Sequence, residues 1–240
     1  MKKILSKVTL ASRSEIVSLI DRSIREHSKL NVVTANPEIF MISESNEALQ
    51  SFLLDEKTTI TPDGIGVVKA YNKIFNKSIV RVPGVDTVFD MLDLANREGY
   101  SICVFGGKQE TIDAFKIKLE TEYPNIKDYQ LLDGYTNSFE DALEVMKKHP
   151  ADMNFIAQGV PRQENFMNLA NDHLDEGVFI GCGGSIDVLS GMVNRAPKLI
   201  MKLNLEWLYR IILNPSRFKR FWNNQVKFVF KIRKINKERE

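Results

Sequence analysis

Short runs of β-branched and apolar residues recur along the chain. Each is followed by a turn and then by apolar positions at helical spacing. Runs at Asn31–Ala35, Thr58–Thr61, Ser101–Phe105, Tyr129–Leu132, Met153–Ala157 and Val178–Gly181 predict strands. Pro37–Leu54, Ile65–Phe75, Val85–Arg97, Gln109–Tyr123, Ser138–Lys148 and Arg162–His173 predict the helices between them. This alternation predicts an α/β fold with a largely parallel sheet flanked by helices. Ligands of such sheets bind outside the carboxyl ends of the strands, so the residues just after each strand are the ones that matter for function.

Those residues are polar or rich in glycine. They are Thr34-Ala35-Asn36-Pro37, Thr61-Pro62-Asp63-Gly64-Ile65-Gly66, Gly106-Gly107-Lys108, Gln158-Gly159-Val160-Pro161-Arg162-Gln163 and Gly181-Cys182-Gly183-Gly184-Ser185. Taken singly, each reads equally as a turn; together they predict one cleft. Gly106-Gly107 and Gly183-Gly184-Ser185 each precede a helix, where outward backbone N–H groups and the helix dipole suit an anion such as a diphosphate. Neither is a complete dinucleotide or P-loop motif. Asp63, between Pro62 and Gly64, is presented at a strand end. It suits a general base within reach of a substrate hydroxyl, and it equally suits a helix N-cap. Arg81, ahead of Pro83-Gly84, suits a leaving diphosphate or a surface ion pair. Thr34, Asn36 and Gln163 are neutral donors and acceptors for sugar hydroxyls or a base edge.

The charge is divided unevenly. Residues 195–240 hold 13 Lys and Arg against 3 Asp and Glu, whereas the whole chain is only +2 and residues 1–194 therefore sum to −8. Arg195-Ala196-Pro197 marks the break, which predicts a catalytic body over 1–194 and a helical appendage over 195–240. Leu199, Leu203, Trp207, Leu208, Ile211 and Ile212 recur at helical spacing up to Asn214-Pro215. That segment can pack on the body or on a partner subunit, so a homo-oligomer stays open. A last helix sets Phe218, Phe221, Trp222, Gln225, Val229 and Ile232 on one stripe, beside Arg217, Arg220, Lys227, Lys231 and Lys234. Aromatics beside cations are the pattern of a basic amphipathic helix lying on an anionic membrane surface. A nucleic-acid groove has no use for the apolar stripe, so no nucleic-acid partner is expected.

The remaining features mostly exclude. No apolar run reaches the roughly 18 residues of a spanning helix. The start, Met1-Lys2-Lys3-Ile4-Leu5-Ser6-Lys7, breaks too early for an export signal, which predicts a cytoplasmic protein. Cys103 and Cys182 sit in apolar strand-like runs and read as buried thiols. His27, His149 and His173 show no metal spacing, and no two aspartates lie two apart, so the Asp-x-Asp metal clamp of many nucleotide-sugar enzymes is absent.

From about Asn31 to about Arg220 these segments resemble the bacterial WecG/TagA/CpsF glycosyltransferase family. The most specific pieces are Thr34 to Pro37, Thr61 to Gly66, and the block Gly181 to Arg220, which includes Arg195-Ala196-Pro197-Lys198 and Leu205-Glu206-Trp207-Leu208-Tyr209-Arg210. The resemblance implies a Rossmann-like fold and an inverting, metal-independent transfer from a UDP-sugar, with no cofactor. It implies a polyprenyl-diphosphate-linked sugar as acceptor at the inner face of the cell membrane. Within the family the likeness is to the wall-teichoic-acid branch, which uses N-acetylmannosamine. Carried over by residue, it makes Asp63 the base, with Thr34 and Asn36 lining the sugar site. Arg81 and Gln163 then contact donor or diphosphate, while Arg210, Arg217 and Arg220 of the appendage meet the lipid diphosphate. The chain departs from the family pattern at Val80, Gln158 and Arg162, which bears on sugar identity. A capsule or exopolysaccharide enzyme using another UDP-hexose, and a non-catalytic nucleotide-sugar-binding subunit, are the alternatives.

Overall fold

The structure is a computed structural model that describes residues 1–126, 128–202, 206–213 and 218–237. The chain opens with α1 (Lys2–Leu5) and α2 (Arg13–Arg25), then β1 (Lys29–Ala35), α3 (Pro37–Ser43), α4 (Glu47–Leu54) and β2 (Thr58–Pro62). There follow α5 (Ile65–Phe75), α6 (Gly84–Glu98), β3 (Ile102–Gly106), α7 (Gln109–Glu122), β4 (Tyr129–Leu132) and α8 (Phe139–Lys148). The last are β5 (Met153–Ala157), α9 (Arg162–His173), β6 (Gly177–Gly181), α10 (Ser185–Leu189), α11 (Lys198–Lys202), α12 (Glu206–Leu213) and α13 (Phe218–Lys237).

All pairings in the sheet are parallel, in the order β2-β1-β6-β5-β3-β4. Every strand therefore ends on one edge, as the alternation predicts, and the expected α/β fold with a largely parallel sheet is what forms. Side chains alternate across the sheet with a period of two. Cys103 and Phe105 of β3 face a core shared with α1, α3, α4, α5, α8, α9 and α13. Ile102 and Val104 face the opposite core, shared with α2, α6, α7 and α10. Both cysteines are buried, and burial pushes each thiol up to about 12.

Two expectations about helices need correction. The single helix expected over Pro37–Leu54 is two. The polar stretch Ser43-Glu44-Ser45-Asn46 interrupts the apolar spacing, and Asn46 starts α4 by accepting from the Leu49 amide at 3.0 Å. Helix α2 was not expected at all. Its signal is a capping box, in which Ser12 and Glu15 exchange side-chain and backbone hydrogen bonds.

The basic C-terminal helix is present and docks along one face. Phe228 and Ile232 are buried in the core against α3 and α5, and Phe228 packs on Phe40 at 5.7 Å between ring centroids. Asn224 donates to Glu38 at 3.0 Å and Lys231 pairs with Glu44 at 2.6 Å. These two ties lie seven and six residues apart on their helices, so α13 runs alongside α3 in the same direction. The single lipid-facing stripe expected from the sequence is therefore divided. Ile232 turns to the body, whereas Trp222 and Val229 stay exposed together with Phe230.

Candidate active site

Three strand ends next to one another build the site from the backbone outward. At the end of β2, Asp63 follows Pro62 and leaves its carboxylate about one third exposed. It does not cap α5, which starts without a side-chain cap. Instead its Oδ1 accepts from the Gly84 amide at 3.0 Å, the first residue of α6. The capping alternative is thus realised on a helix distant in sequence, and the dipole of α6 suits the anion. Arg81 Nε donates to the Asp63 carbonyl at 2.5 Å, and its Nη2 lies 3.7 Å from Asp63 Oδ1. Arg81 is held in the fold by the same residue that it serves electrostatically.

The same guanidinium reaches the appendage. Arg81 Nη2 lies 3.9 Å from Oε2 of Glu206 on α12, and Glu206 is buried. Sequence reasoning gave Glu206 no role. Its signal was available, because it is the only acidic residue between Arg195 and Lys237.

At the end of β1, Thr34 and Asn36 both turn to the backbone. Thr34 Oγ1 donates to the Gly181 carbonyl at 2.8 Å, which ties β1 to the end of β6. Asn36 Oδ1 caps α3 by accepting from the Glu38 and Ile39 amides at 2.9 and 3.3 Å. Gly84 sits against Thr34 so closely that a Cβ there would lie 2.8 Å from Thr34 Cγ2. That contact is what seats the start of α6 beside Asp63.

At the end of β6, Gln163 is buried and hugs Gly181, where a Cβ would lie 2.5 Å from Gln163 Nε2. Its Oε1 accepts from the Gly183 amide at 3.1 Å. This amide, expected to face outward to an anion, is therefore already engaged. Helix α10 behind it spans only Ser185–Leu189, so its dipole is short. Ser185 is buried and its amide returns to the Cys182 carbonyl. Gly183 and Gly184 hold the shape of a turn two strand spacings from β2, roughly 10 Å along the edge.

Gly106 and Gly107 end β3, four spacings or about 19 Å from β2. Gly107 accepts from the Gly134 amide at 2.9 Å, joining the ends of β3 and β4. Only an extended ligand spans from this pair to Asp63. Arg217, and the side chains of Arg210 and Arg220, lie outside the described residues. Among the described residues no group of three or more His, Cys, Asp or Glu side chains is placed to hold a metal ion. A cavity of about 80 Å³ lined by Ser23, His27, Asn154 and Glu176 opens at the amino ends of the strands, away from all of these groups.

The most unusual titratable group beside the site is Glu164. It is 1% exposed, and burial pushes its carboxyl up to about 7, with the negative charge of Glu38 adding to the effect. Sequence reasoning missed it, since a Gln-Glu pair in the first turn of a helix usually faces water.

The model of the WecG/TagA/CpsF glycosyl transferase family matches residues 3–240. An N-acetylglucosaminyldiphosphoundecaprenol N-acetyl-beta-D-mannosaminyltransferase of Bacillus subtilis (strain 168) is 37% identical over 211 residues, covering 86% of this chain and 82% of the relative. A protein of the same name from Bacillus spizizenii is 33% identical over 189 residues, covering 79% and 73%. Another from Staphylococcus aureus (strain NCTC 8325 / PS 47) is 30% identical over 212 residues, covering 88% and 82%.

Proposed function

This chain belongs to the WecG/TagA/CpsF glycosyltransferase family, and from that premise we propose that it transfers N-acetylmannosamine from a UDP-sugar to undecaprenyl-diphosphate-linked N-acetylglucosamine. The observation that carries the reading is the Asp63 carboxylate, set at a strand end between the first amide of α6 and the Arg81 guanidinium. Asp63 takes the proton of the acceptor hydroxyl as the oxygen attacks the anomeric carbon. The new C–O bond forms on the face opposite the bond that breaks, and UDP leaves with the electron pair. An α-linked donor then gives the β product named in the relatives. Arg81 offsets the charge gathering on the leaving diphosphate, a role that fixed cations fill without a metal. Thr34 and Gln163 hold the floor of the site, which is the β6 turn.

The acceptor's lipid places the reaction at the inner membrane face. Supporting this, α13 exposes Trp222, Val229 and Phe230 among Lys227, Arg233 and Lys234, and Arg233 lies over the Phe230 ring at 5.9 Å. Such a face suits the interface of an anionic leaflet. No helix among the described residues is long and apolar enough to cross a membrane.

The test is UDP release from a donor panel with a short-chain diphosphate-linked N-acetylglucosamine acceptor, in EDTA. UDP-N-acetylmannosamine should support acceptor-dependent release. Asp63→Asn should lower it by roughly 10²–10⁴-fold while UDP binding persists. Near-normal turnover in that variant removes Asp63 from the base role, and a requirement for added metal rejects the metal-independent step. Release with a different UDP-hexose alone moves the protein to the capsule or exopolysaccharide reading.

A further inference from the structure

Gln163 and Glu164 are neighbours in the first turn of α9, and both are buried, at 3% and 1% exposure. The Gln163 amide is held at both ends. Its oxygen accepts from the Gly183 amide at 3.1 Å, and its nitrogen donates to Glu164 Oε1 at 2.8 Å. The two ends are not interchangeable. Turned over, the amide would point its NH2 at the Gly183 N–H, donor against donor, so something must set its orientation. Among the described residues Glu164 is the acceptor that does so. Its other oxygen, Oε2, is buried with no hydrogen-bond partner, and the charged group facing it from a packed element is Glu38 of α3. An unmet buried carboxyl oxygen is costly. A leucine or methionine of similar volume would pack here without that penalty, so what the carboxyl supplies is the orientation of Gln163.

We propose that Glu164 is a positioning residue that, through the Gln163 amide, fixes the Gly183-Gly184 turn in the shape that receives the sugar-nucleotide donor. The inference rests on the transferase reading above. It adds a specific division of labour: Thr34 holds the Gly181 carbonyl from β1, Gln163 holds the Gly183 amide from α9, and Glu164 sets Gln163.

The experiment compares the full-length wild type with Glu164→Gln and Glu164→Leu. Glutamine keeps an oxygen acceptor for Gln163 and is never charged; leucine has no acceptor. At pH 6 Glu164→Gln should stay within about twofold of wild type in kcat/KM for the donor. Glu164→Leu should lose roughly tenfold or more, the worth of one well-placed hydrogen bond, chiefly through donor KM. Glu164→Gln should hold that ratio to wild type at pH 8 as well, because the carboxylic acid, the carboxylate and the glutamine amide each offer Gln163 an oxygen acceptor. Exchange of the Gly183 amide with deuterium, followed by NMR, should speed up in Glu164→Leu and stay slow in Glu164→Gln. Wild-type kinetics in the leucine variant, with unchanged Gly183 exchange, would overturn the proposal. So would equal Gly183 exchange in all three proteins. If the leucine variant does not fold, Glu164→Met, which keeps the volume and has no oxygen acceptor, decides by the same kinetics and exchange. If the wild type transfers no sugar from any donor, the transferase reading fails by itself, and the exchange measurement still decides whether Glu164 sets the turn.

Discussion

Glu164→Gln should make the protein more stable at neutral pH and leave it nearly unchanged in mild acid. The carboxyl is raised from 4.5 to about 7 by burial, so between those values the folded state holds a proton that the unfolded state has released. Stability falls with pH wherever the native state binds more protons. The loss begins near pH 4.5, accumulates to pH 7 and is constant above. A shift of this size corresponds to about 3 kcal/mol in full, most of which falls between pH 5 and pH 8. Glutamine keeps the shape and the acceptor for Gln163 but does not titrate. Urea unfolding of both proteins at pH 5, 6, 7 and 8 isolates the term, because every other group cancels in the difference. The variant's advantage should grow by roughly 2–3 kcal/mol across that range, most of it before pH 7. A difference that stays flat within about 0.5 kcal/mol, the usual spread for independent sites, would mean that Glu164 is ionised and solvated in the folded protein. The positioning argument would then lose its unmet oxygen.

Two other perturbations separate the inner and outer faces of α13. Phe228→Ala opens a cavity against Phe40 and should cost about 3–5 kcal/mol in urea unfolding; a cost below about 1 kcal/mol would mean that the helix does not depend on this anchor. Replacing Trp222 and Phe230 by serine touches side chains that are 55% and 63% exposed, so the fold should stay within about 1 kcal/mol of wild type while sedimentation with anionic vesicles falls severalfold. Unchanged sedimentation would reject the interfacial role of that face. In the wild type the same sedimentation should weaken as salt rises, because screening shortens the reach of Lys227, Arg233 and Lys234.

The layered fold was legible because its information is local. Short apolar runs and helical spacing repeat down the chain, and Arg162–His173 has the same limits in the sequence reading and in the structure. What failed was also local: the capping box at Ser12, ahead of Ile16, Ile20 and Ile24 at helical spacing, and the cap at Asn46 are both written in the sequence. The placement of the candidate residues was legible, but their wiring was not. Strand ends announced Thr34, Asp63 and Gln163, since a parallel sheet brings every strand end to one edge. No local pattern says that Asp63 caps a helix 21 residues on, or that Thr34 and Gln163 grip the two sides of one glycine turn. Glu164 and Glu206 were missed for the same reason. Glu206 meets Arg81 only in the folded chain, and Glu164, though bonded to its neighbour Gln163, matters through the Gly183 turn that Gln163 then meets.

The charge division of the sequence takes on a geometric meaning once α13 is placed. A net +10 over residues 195–240 would serve any anionic surface, but the docking selects where that surface lies. Helix α3 starts directly after β1, so its first turn stands at the carboxyl edge of the sheet, beside Asn36. Asn224 meets α3 in that turn and Lys231 meets it at the far end, so the beginning of α13 is the part nearest the strand ends. Glu206 of α12 reaches Arg81 at the same edge. The C-terminal segment is therefore tied to the body near the carboxyl edge by two contacts, Glu206 to Arg81 and Asn224 to Glu38, while the outer face of α13 keeps its aromatics and cations exposed. On the reading proposed above, a lipid-linked diphosphate arrives with its sugar already close to the base. A helix anchored elsewhere on the body could bind the same membrane and leave the acceptor hydroxyl out of reach of Asp63, so the position of the dock, beyond its charge, decides whether membrane binding serves the reaction.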